Sequence, residues 1–293
     1  MILKEALFEG KQKLRTAGIP TPELDAELLL SHILQKDRSC LIVHHDMTLS
    51  GVIYNKYILY ITRRIQGECV AYITKRKKFR NLNLYVNKKT LVPRPDTEIL
   101  VETALSWIDT AVVQNKKRKT ISVLDICTGS GAVALALLDE RPYIKVFASD
   151  ISRAALAVAK QNYLKLLKLK RNDFFEHKMT IIESDIFASI TGKFSIIVAN
   201  PPYIKSSGLE TLPKEVRAEP KIALDGGKDG LTIIKKIITG AKYYLEDGGA
   251  LFIEAGPQEM PDIKKIFEEL KYNNITITKD LAGLNRVIGG ESC

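Results

Sequence analysis

Apolar residues recur at helical spacing through roughly the first 70 residues and then give way to short continuous runs. Leu3, Leu7 and Leu14 mark a first helix that Gly18 ends. Thr21 as N-cap and Pro22 at the first helical position open a second, running through Leu24, Leu28 and Leu29 toward Leu34. Ser39 and Ser50 are placed to cap two more, the last passing through Ile53, Tyr57, Ile61 and Ile65 before Gly67. From Phe79 to Val92 the pattern becomes period two, "FRNLNLYVNKKTLV", which predicts a β-hairpin turning at Asn87–Lys89. Asp96 then caps the helix "TEILVETALSWI", and strand–helix alternation continues to the end of the chain. That alternation predicts a mostly parallel sheet with helices on both faces. The expected organisation is a helical domain over 1–74, a hairpin linker over 75–95 and an α/β domain over 96–293.

Composition narrows the class without naming a chemistry. Of 293 residues, 45% are hydrophobic and 27% charged, ordinary values for a globular protein. No apolar run reaches the roughly 18 residues needed to span a membrane, and the opening "MILKEALFEGKQKL" lacks the apolar core of a signal peptide. Cys40, Cys69, Cys127 and Cys293 are scattered with no C-x-x-C pair, which argues against a zinc site or a disulfide framework and for the cytoplasm. The net charge of +10 is carried in local clusters: "KRKKFR" at Lys75–Arg80, "KKRK" at Lys116–Lys119 and "KLLKLKR" ending at Arg171. The last two read as solvated charge runs. The first, at the domain junction, is a candidate partner contact. His44 and His45, side by side, would point about 100° apart on a helix and share no metal easily. His32 and His177 are isolated, and Trp107 falls in the apolar stripe of its helix.

Two strand ends carry the chemistry. In "SVLDICTGSGAVALALL" a strand from Ile121 to Ile126 runs into a turn, Cys127, Thr128, Gly129, Ser130 and Gly131, with a helix starting near Ala132. The two glycines permit positive φ and close approach of a ligand to the backbone, and the helix that follows presents unpaired N–H groups. The next run, "IKVFAS", ends in Asp150, about 20 residues on, where a carboxylate can accept both hydroxyls of a ribose. A dinucleotide turn would add a third glycine for the pyrophosphate; this one suits a nucleoside without phosphates, S-adenosyl-L-methionine first among them. Asp125 either shapes the turn by accepting backbone N–H groups or approaches the amino group of that cofactor.

The second strand end is "FSIIVA" followed by Asn200, Pro201, Pro202 and Tyr203. An Asn side chain offers one acceptor and two donors, two prolines stiffen the backbone and remove two N–H donors, and a Tyr ring supplies a flat wall. The result is an acceptor site for an NH2 group; a plain Asn-Pro turn closing a strand is the competing reading.

Taken together with "TLVPRPDTEILVETAL" at Thr90–Leu105, "SDIF" at Ser184–Phe187, "EPKIALDGGKDGL" at Glu219–Leu231 and "DGGALFIEAGPQ" at Asp247–Gln258, these motifs resemble the HemK/PrmC family. Its members are glutamine N5-methyltransferases acting on peptide chain release factors. The resemblance implies a class I S-adenosylmethionine-dependent methyltransferase, Rossmann-like, with a small N-terminal all-helical domain joined by a β-hairpin. It implies that Cys127–Gly131 wrap the methionine part of the cofactor, Asp150 its ribose, and Asp185 with Ile186 its adenine, with Asn200 beside the methyl group. It further implies that the Asn200 side-chain oxygen and the Pro201 carbonyl hold the amide hydrogens of a Gln in a Gly-Gly-Gln loop, that Pro202 and Tyr203 pack against it, and that S-adenosyl-L-homocysteine is the product. The helical domain would dock the release factor, and the protein would be a monomer. Cys127 departs from the family, where many relatives carry Gly.

Two other readings stand beside this one. An adenine-N6 DNA or RNA methyltransferase uses the same box, but it needs stacking surfaces for an extracted base, and only 7% of this chain is aromatic. Nucleic acid is therefore not the expected substrate. A noncatalytic protein that keeps the fold would not be expected to keep both the glycine turn and the Asn-Pro-Pro-Tyr box.

Overall fold

The computed structural model describes residues 1–114, 120–170 and 177–292. The basic run Lys116–Lys119, Arg171 and Cys293 lie outside the described residues. The chain divides into two compact units, Met1–Arg76 with Pro213–Ala218, and Lys77–Leu212 with Glu219–Cys293.

The first unit is helical: α1 (Leu3–Thr16), α2 (Pro22–Leu34), α3 (Arg38–Val43), α4 (Gly51–Ile65) and α5 (Val70–Thr74). Leu3, Leu14, Leu29, Leu30, Tyr57 and Ile61 are fully buried between them. α1 approaches α4 closely because Gly10 has no side chain; a Cβ there would lie 2.0 Å from the Tyr57 hydroxyl oxygen. The buried Arg64 guanidinium pairs with Asp25 at 2.6 Å and with Glu215 at 2.7 Å, so the segment Pro213–Ala218 is tied into this unit. Ser50 caps α4 by accepting the Ile53 N–H. Ser39 caps nothing: α3 begins one residue earlier, after Asp37, and places Ser39 inside its first turn. Thr21 holds the N-cap position of α2, but its hydroxyl donates to the Asp25 carboxylate rather than receiving a backbone N–H. α3 ends at Val43, so His44 and His45 follow a helix instead of sharing one.

The hairpin is shorter than the alternation predicts. β1 (Arg76–Phe79) and β2 (Leu82–Tyr85) turn at Arg80 and Asn81, while Asn87–Lys89 form a separate turn beyond the hairpin. Arg80 sits at φ +48° with its N–H on Glu98 and its guanidinium on Glu140 and Glu102. That last residue of the "KRKKFR" cluster is thus committed to holding structure.

The remainder is one seven-stranded sheet: β3 (Ser122–Ile126), β4 (Lys145–Asp150), β5 (Met179–Glu183), β6 (Phe194–Ala199), β7 (Leu245–Glu254), β8 (Asn273–Lys279) and β9 (Asn285–Glu291). Its helices are α6 (Thr97–Gln114), α7 (Ala132–Glu140), α8 (Arg153–Lys170), α10 (Thr232–Tyr244) and α11 (Met260–Glu269); the short α9 (Lys214–Arg217) belongs to the first unit. Side chains alternate across the sheet, as a period of two requires. Ile196 and Val198 of β6 face a core built with α6, α7 and α8, and Ile197 and Ala199 face a second core with α10 and α11. Every residue of β6 is buried. This is the two-sided burial of a parallel strand read as a continuous apolar run. β9 pairs antiparallel with both β7 and β8, because the connection between β8 and β9 is too short for a crossover. No helix among the described residues is long and apolar enough to cross a membrane.

The strand order is β5-β4-β3-β6-β7-β9-β8. The chain builds outward from β3 to β5 and then returns to β6 on the other side of β3. At such a reversal the loops that leave the two central strands diverge and leave a crevice at their carboxyl ends.

Candidate active site

In the parallel pairing of β3 with β6, Ile126 stands beside Ala199. Cys127 and Asn200 are therefore the first residues past adjacent strand ends, and both line one cavity of about 620 Å³. A volume of that size suits a drug-sized or nucleoside-sized ligand.

The turn after β3 is held in place by carboxylates. Asp125 Oδ2 accepts the Thr128 hydroxyl at 2.6 Å and the Ala134 N–H at 3.1 Å, and so takes the turn-shaping role while also lining the cavity. Asp150 accepts the Gly129 N–H at 2.9 Å on one oxygen and the Ser152 N–H at 2.8 Å on the other. Its position at the end of β4 points it into the same cavity. Cys127, Thr128, Gly129 and Ser130 line the cavity; Gly131 turns behind them at φ +80° as the N-cap of α7. A Cβ on Gly131 would come within 3.2 Å of Ala159 Cβ. Cys127 lies at φ +60°, in the left-handed region that Gly occupies without strain, at a backbone cost of about 1–2 kcal/mol.

Asp185 and Ile186 follow β5 and line another part of the cavity wall. Ile186 adopts φ +52°, an outlier for a β-branched side chain. The Ser184 hydroxyl holds it there by donating to the Ile186 carbonyl at 3.0 Å and accepting the Ser189 N–H at 3.0 Å.

The electrostatics of the cavity oppose those of the chain as a whole. Burial pushes the Asp125 carboxyl up to about 7 and raises Asp150 as well. Burial also pushes the Cys127 thiol up, reinforced by Asp150, Asp125 and Asp185, so the thiol stays protonated. The acidic groups Asp150 and Asp185 in the cavity wall favour a cation and disfavour a phosphate.

Asn200 and Pro202 line the cavity; Pro201 is buried beside them, and Tyr203 stands half-buried behind. Burial and Glu254 push the Tyr203 hydroxyl up to about 12, so it remains a neutral phenol. The box is braced by residues to which sequence reasoning gave no role in the site. Beyond it, Ile204 donates to the Leu224 carbonyl at 3.0 Å and accepts the Gly226 N–H at 2.8 Å. Gly226 has no room for a side chain: a Cβ would meet Tyr203 Cα at 2.7 Å and the Pro202 carbonyl oxygen at 2.8 Å. The "PRPDTE" stretch supplies the other side. Arg94 pairs with the buried Glu219, which also accepts the Val92 N–H at 2.9 Å. Asp96 pairs with Arg286 at 3.1 Å, and the Thr97 hydroxyl accepts from Asn200 Nδ2 at 3.1 Å. The signal that could have found these partners is a polar residue closing a buried strand or opening the helix beside it, as Glu254 and Thr97 do.

The family model described as PrmC N-terminal domain matches residues 5–74, and the methyltransferase small domain matches residues 108–216. The release factor glutamine methyltransferase of Buchnera aphidicola subsp. Schizaphis graminum is 42% identical over 92% of this chain and 92% of its own length. That of Coxiella burnetii is 38% identical over 98% of this chain and 97% of its own. Among solved structures, the catalytic domain of hMettl16 in complex with the MAT2A 3'UTR hairpin 6 covers 79% of this chain and 81% of its own at 13% identity and TM-score 0.55, a likeness of fold alone.

Proposed function

The chain belongs to the release factor glutamine methyltransferase family, and from that premise we propose how its own residues carry out methyl transfer to a release-factor glutamine. S-adenosyl-L-methionine supplies, when bound, an electrophilic methyl group on a sulfonium. The cavity fits that molecule by charge and size: Asp150 and Asp185 flank it with acidic groups, and the volume of about 620 Å³ admits a nucleoside with an amino-acid tail. Asp150, pre-aligned by the Gly129 and Ser152 N–H groups, presents its carboxyl group to the ribose hydroxyls. Cys127–Gly131 wrap the methionine part, and Asp185 with Ile186 flank the adenine.

An amide nitrogen is a weak nucleophile because its lone pair is delocalised into the carbonyl. In this reading the Asn200 Oδ1 and the Pro201 carbonyl accept the two amide hydrogens of the Gln, which fixes the nitrogen and aims its lone pair at the methyl group. Pro202 and Tyr203 pack against the side chain. Catalysis is then alignment in fixed dipoles. The proton leaves after the methyl arrives, so no general base is needed beforehand.

We assign capture of the release factor's Gly-Gly-Gln loop to the Asn200 box and docking of the release factor to the helical unit. Its exposed apolar side chains support that assignment, among them Phe8, Ile42, Val43 and Val52. The reading includes a monomer acting in the cytoplasm.

The observation that carries the proposal is the register of β3 on β6, which brings the acidic glycine turn and the Asn200 box to one cavity. Asn200→Ala tests it: the folded variant binds cofactor but transfers methyl at least ~10²-fold more slowly, the scale for removing a polar group that positions a reacting centre. Near-normal turnover would remove Asn200 from the mechanism.

A further inference from the structure

The Asn200 side-chain amide has two ends of nearly equal size, an oxygen that accepts and an NH2 that donates. The proposed chemistry works with only the oxygen turned toward the substrate amide. A flip of the side chain would set an NH2 against an NH2, so something must fix the choice.

In the structure the Nδ2 end donates to Thr97 Oγ1 at 3.1 Å. A hydroxyl that accepts in this way still has its own hydrogen to place. Glu254 stands next to it, at the end of β7, and side-chain hydrogen bonds from both Thr97 and Asn200 act on its carboxyl group. Glu254 is 1% exposed and is not among the residues that line the cavity, so it does not face the ligand. Its Oε2 is buried without a partner. Burying a carboxyl group with one oxygen unsatisfied is unfavourable, and an apolar residue would close this strand at lower cost. Either protonation state of a carboxyl group keeps at least one acceptor oxygen. The carboxyl oxygen that carries no proton accepts, so the donors run from the Asn200 NH2 to Thr97 and from both to Glu254.

We propose that Glu254 and Thr97 are positioning residues that lock the Asn200 amide with its Oδ1 turned toward the methyl acceptor. The proposal rests on the reading of Asn200 given above. It makes a buried acceptor the source of the amide's orientation, and it gives the Thr of "PRPDTE" a task apart from starting α6. Glu254→Gln would introduce an NH2 that can donate to Thr97 Oγ1 or to Asn200 Oδ1, which competes with the working orientation. Thr97→Val keeps the shape and removes the relay. Thr97→Ser keeps the relay.

The test measures kcat and KM on intact release factor, and cofactor Kd by calorimetry, for full-length Thr97→Val, Thr97→Ser and Glu254→Gln beside Asn200→Ala. Thr97→Val and Glu254→Gln are expected to lose roughly 10-fold or more in kcat, approaching the ~10²-fold that a misplacement of about 1 Å costs. Cofactor Kd and KM should stay within about two-fold, because the lost interaction acts on the reacting geometry. Thr97→Ser should restore turnover. In the Asn200→Ala background Thr97→Val should add no further loss, since the amide it orients is gone. An active Asn200→Ala would overturn the underlying reading. Full turnover by Thr97→Val beside an inactive Asn200→Ala would overturn this proposal alone, as would a Thr97→Val loss that multiplies in full onto Asn200→Ala. If Glu254→Gln does not fold, the Thr97 variants and the double variant decide between these outcomes.

Discussion

Replacing Gly226 by Ala reaches the reacting centre through backbone alone. The added Cβ would stand 2.7 Å from the Gly230 carbonyl oxygen, 2.7 Å from Tyr203 Cα and 2.8 Å from the Pro202 carbonyl oxygen, where ordinary contact begins near 3.4 Å. No side-chain rotamer can relieve this, since all three atoms belong to main chain, and the Pro202–Tyr203 segment must yield by about 0.7 Å. Overpacking of this kind costs roughly 1–3 kcal/mol of stability. A misplacement near 1 Å costs ~10²-fold in rate, so the shift should lower kcat by roughly 10- to 10²-fold, or about 1.4–2.7 kcal/mol of transition-state stabilisation. Single-turnover transfer of labelled methyl to release factor reads the rate, and calorimetry reads cofactor affinity, which should change less. Gly51→Ala is the control, because a Cβ there meets nothing within 4 Å. Turnover of Gly226→Ala within about two-fold of the parent, together with an unchanged Tm, would refute this coupling, since the box would then be either unmoved or unimportant.

Three further outcomes follow from the same structure. Asp150→Ala removes a charged acceptor from the cavity and the anchor of the Gly129 and Ser152 N–H groups, so cofactor binding by calorimetry should weaken by roughly 1.5–3 kcal/mol; unchanged Kd would rule out the ribose assignment. The folded-state value of Asp125 is raised from 3.8 to about 7, so between those limits the native chain holds a proton that the unfolded chain has released. Stability from this group is present at the acid end of the window and lost as pH rises through about 7; Asp125→Asn, which keeps an oxygen for Thr128 and Ala134, should flatten that slope in denaturant titrations, and an unchanged slope would show that Asp125 is not protonated there. Gly10→Ala, whose Cβ would overlap the Tyr57 hydroxyl, should destabilise the helical unit by about 1–3 kcal/mol and raise KM for release factor with cofactor Kd unchanged; an unaltered KM in a destabilised variant would count against docking through that unit.

The sheet and its chemistry were legible where burial is two-sided. β6 is a six-residue apolar run ending in a polar box, and β4 is a run ending in Asp150, so strand ends and functional residues announced each other. What stayed hidden depends on partners distant in sequence. The hairpin turns at Arg80 instead of Asn87–Lys89 because Arg80 is pinned by Glu98, Glu102 and Glu140, and no local alternation records those pairings. The antiparallel β9 was not legible because its short connection from β8, organised by Asp280 accepting the Ala282 and Leu284 N–H groups, reads locally as a loop. The supports of the Asn200 box, Thr97, Glu219, Gly226 and Glu254, were visible only as parts of motifs. Their roles arise from tertiary contacts across the cavity, and only the charged end of the apolar run "GALFIE" offered a sequence clue.

The central claim is that this cavity transfers a methyl group to a release-factor glutamine held by Asn200 and Pro201. Mass spectrometry of release factor incubated with the enzyme and S-adenosyl-L-methionine tests it most directly, run in parallel on a substrate carrying Gln→Glu in the Gly-Gly-Gln loop and on single- and double-stranded DNA. The expected result is one added methyl group on that Gln, none on the Glu substrate and none on DNA. A carboxylate has no hydrogens for two acceptors to hold and would face them with its own charge. Equal methylation of the Glu substrate, or transfer to adenine at a matching rate, would contradict the claim.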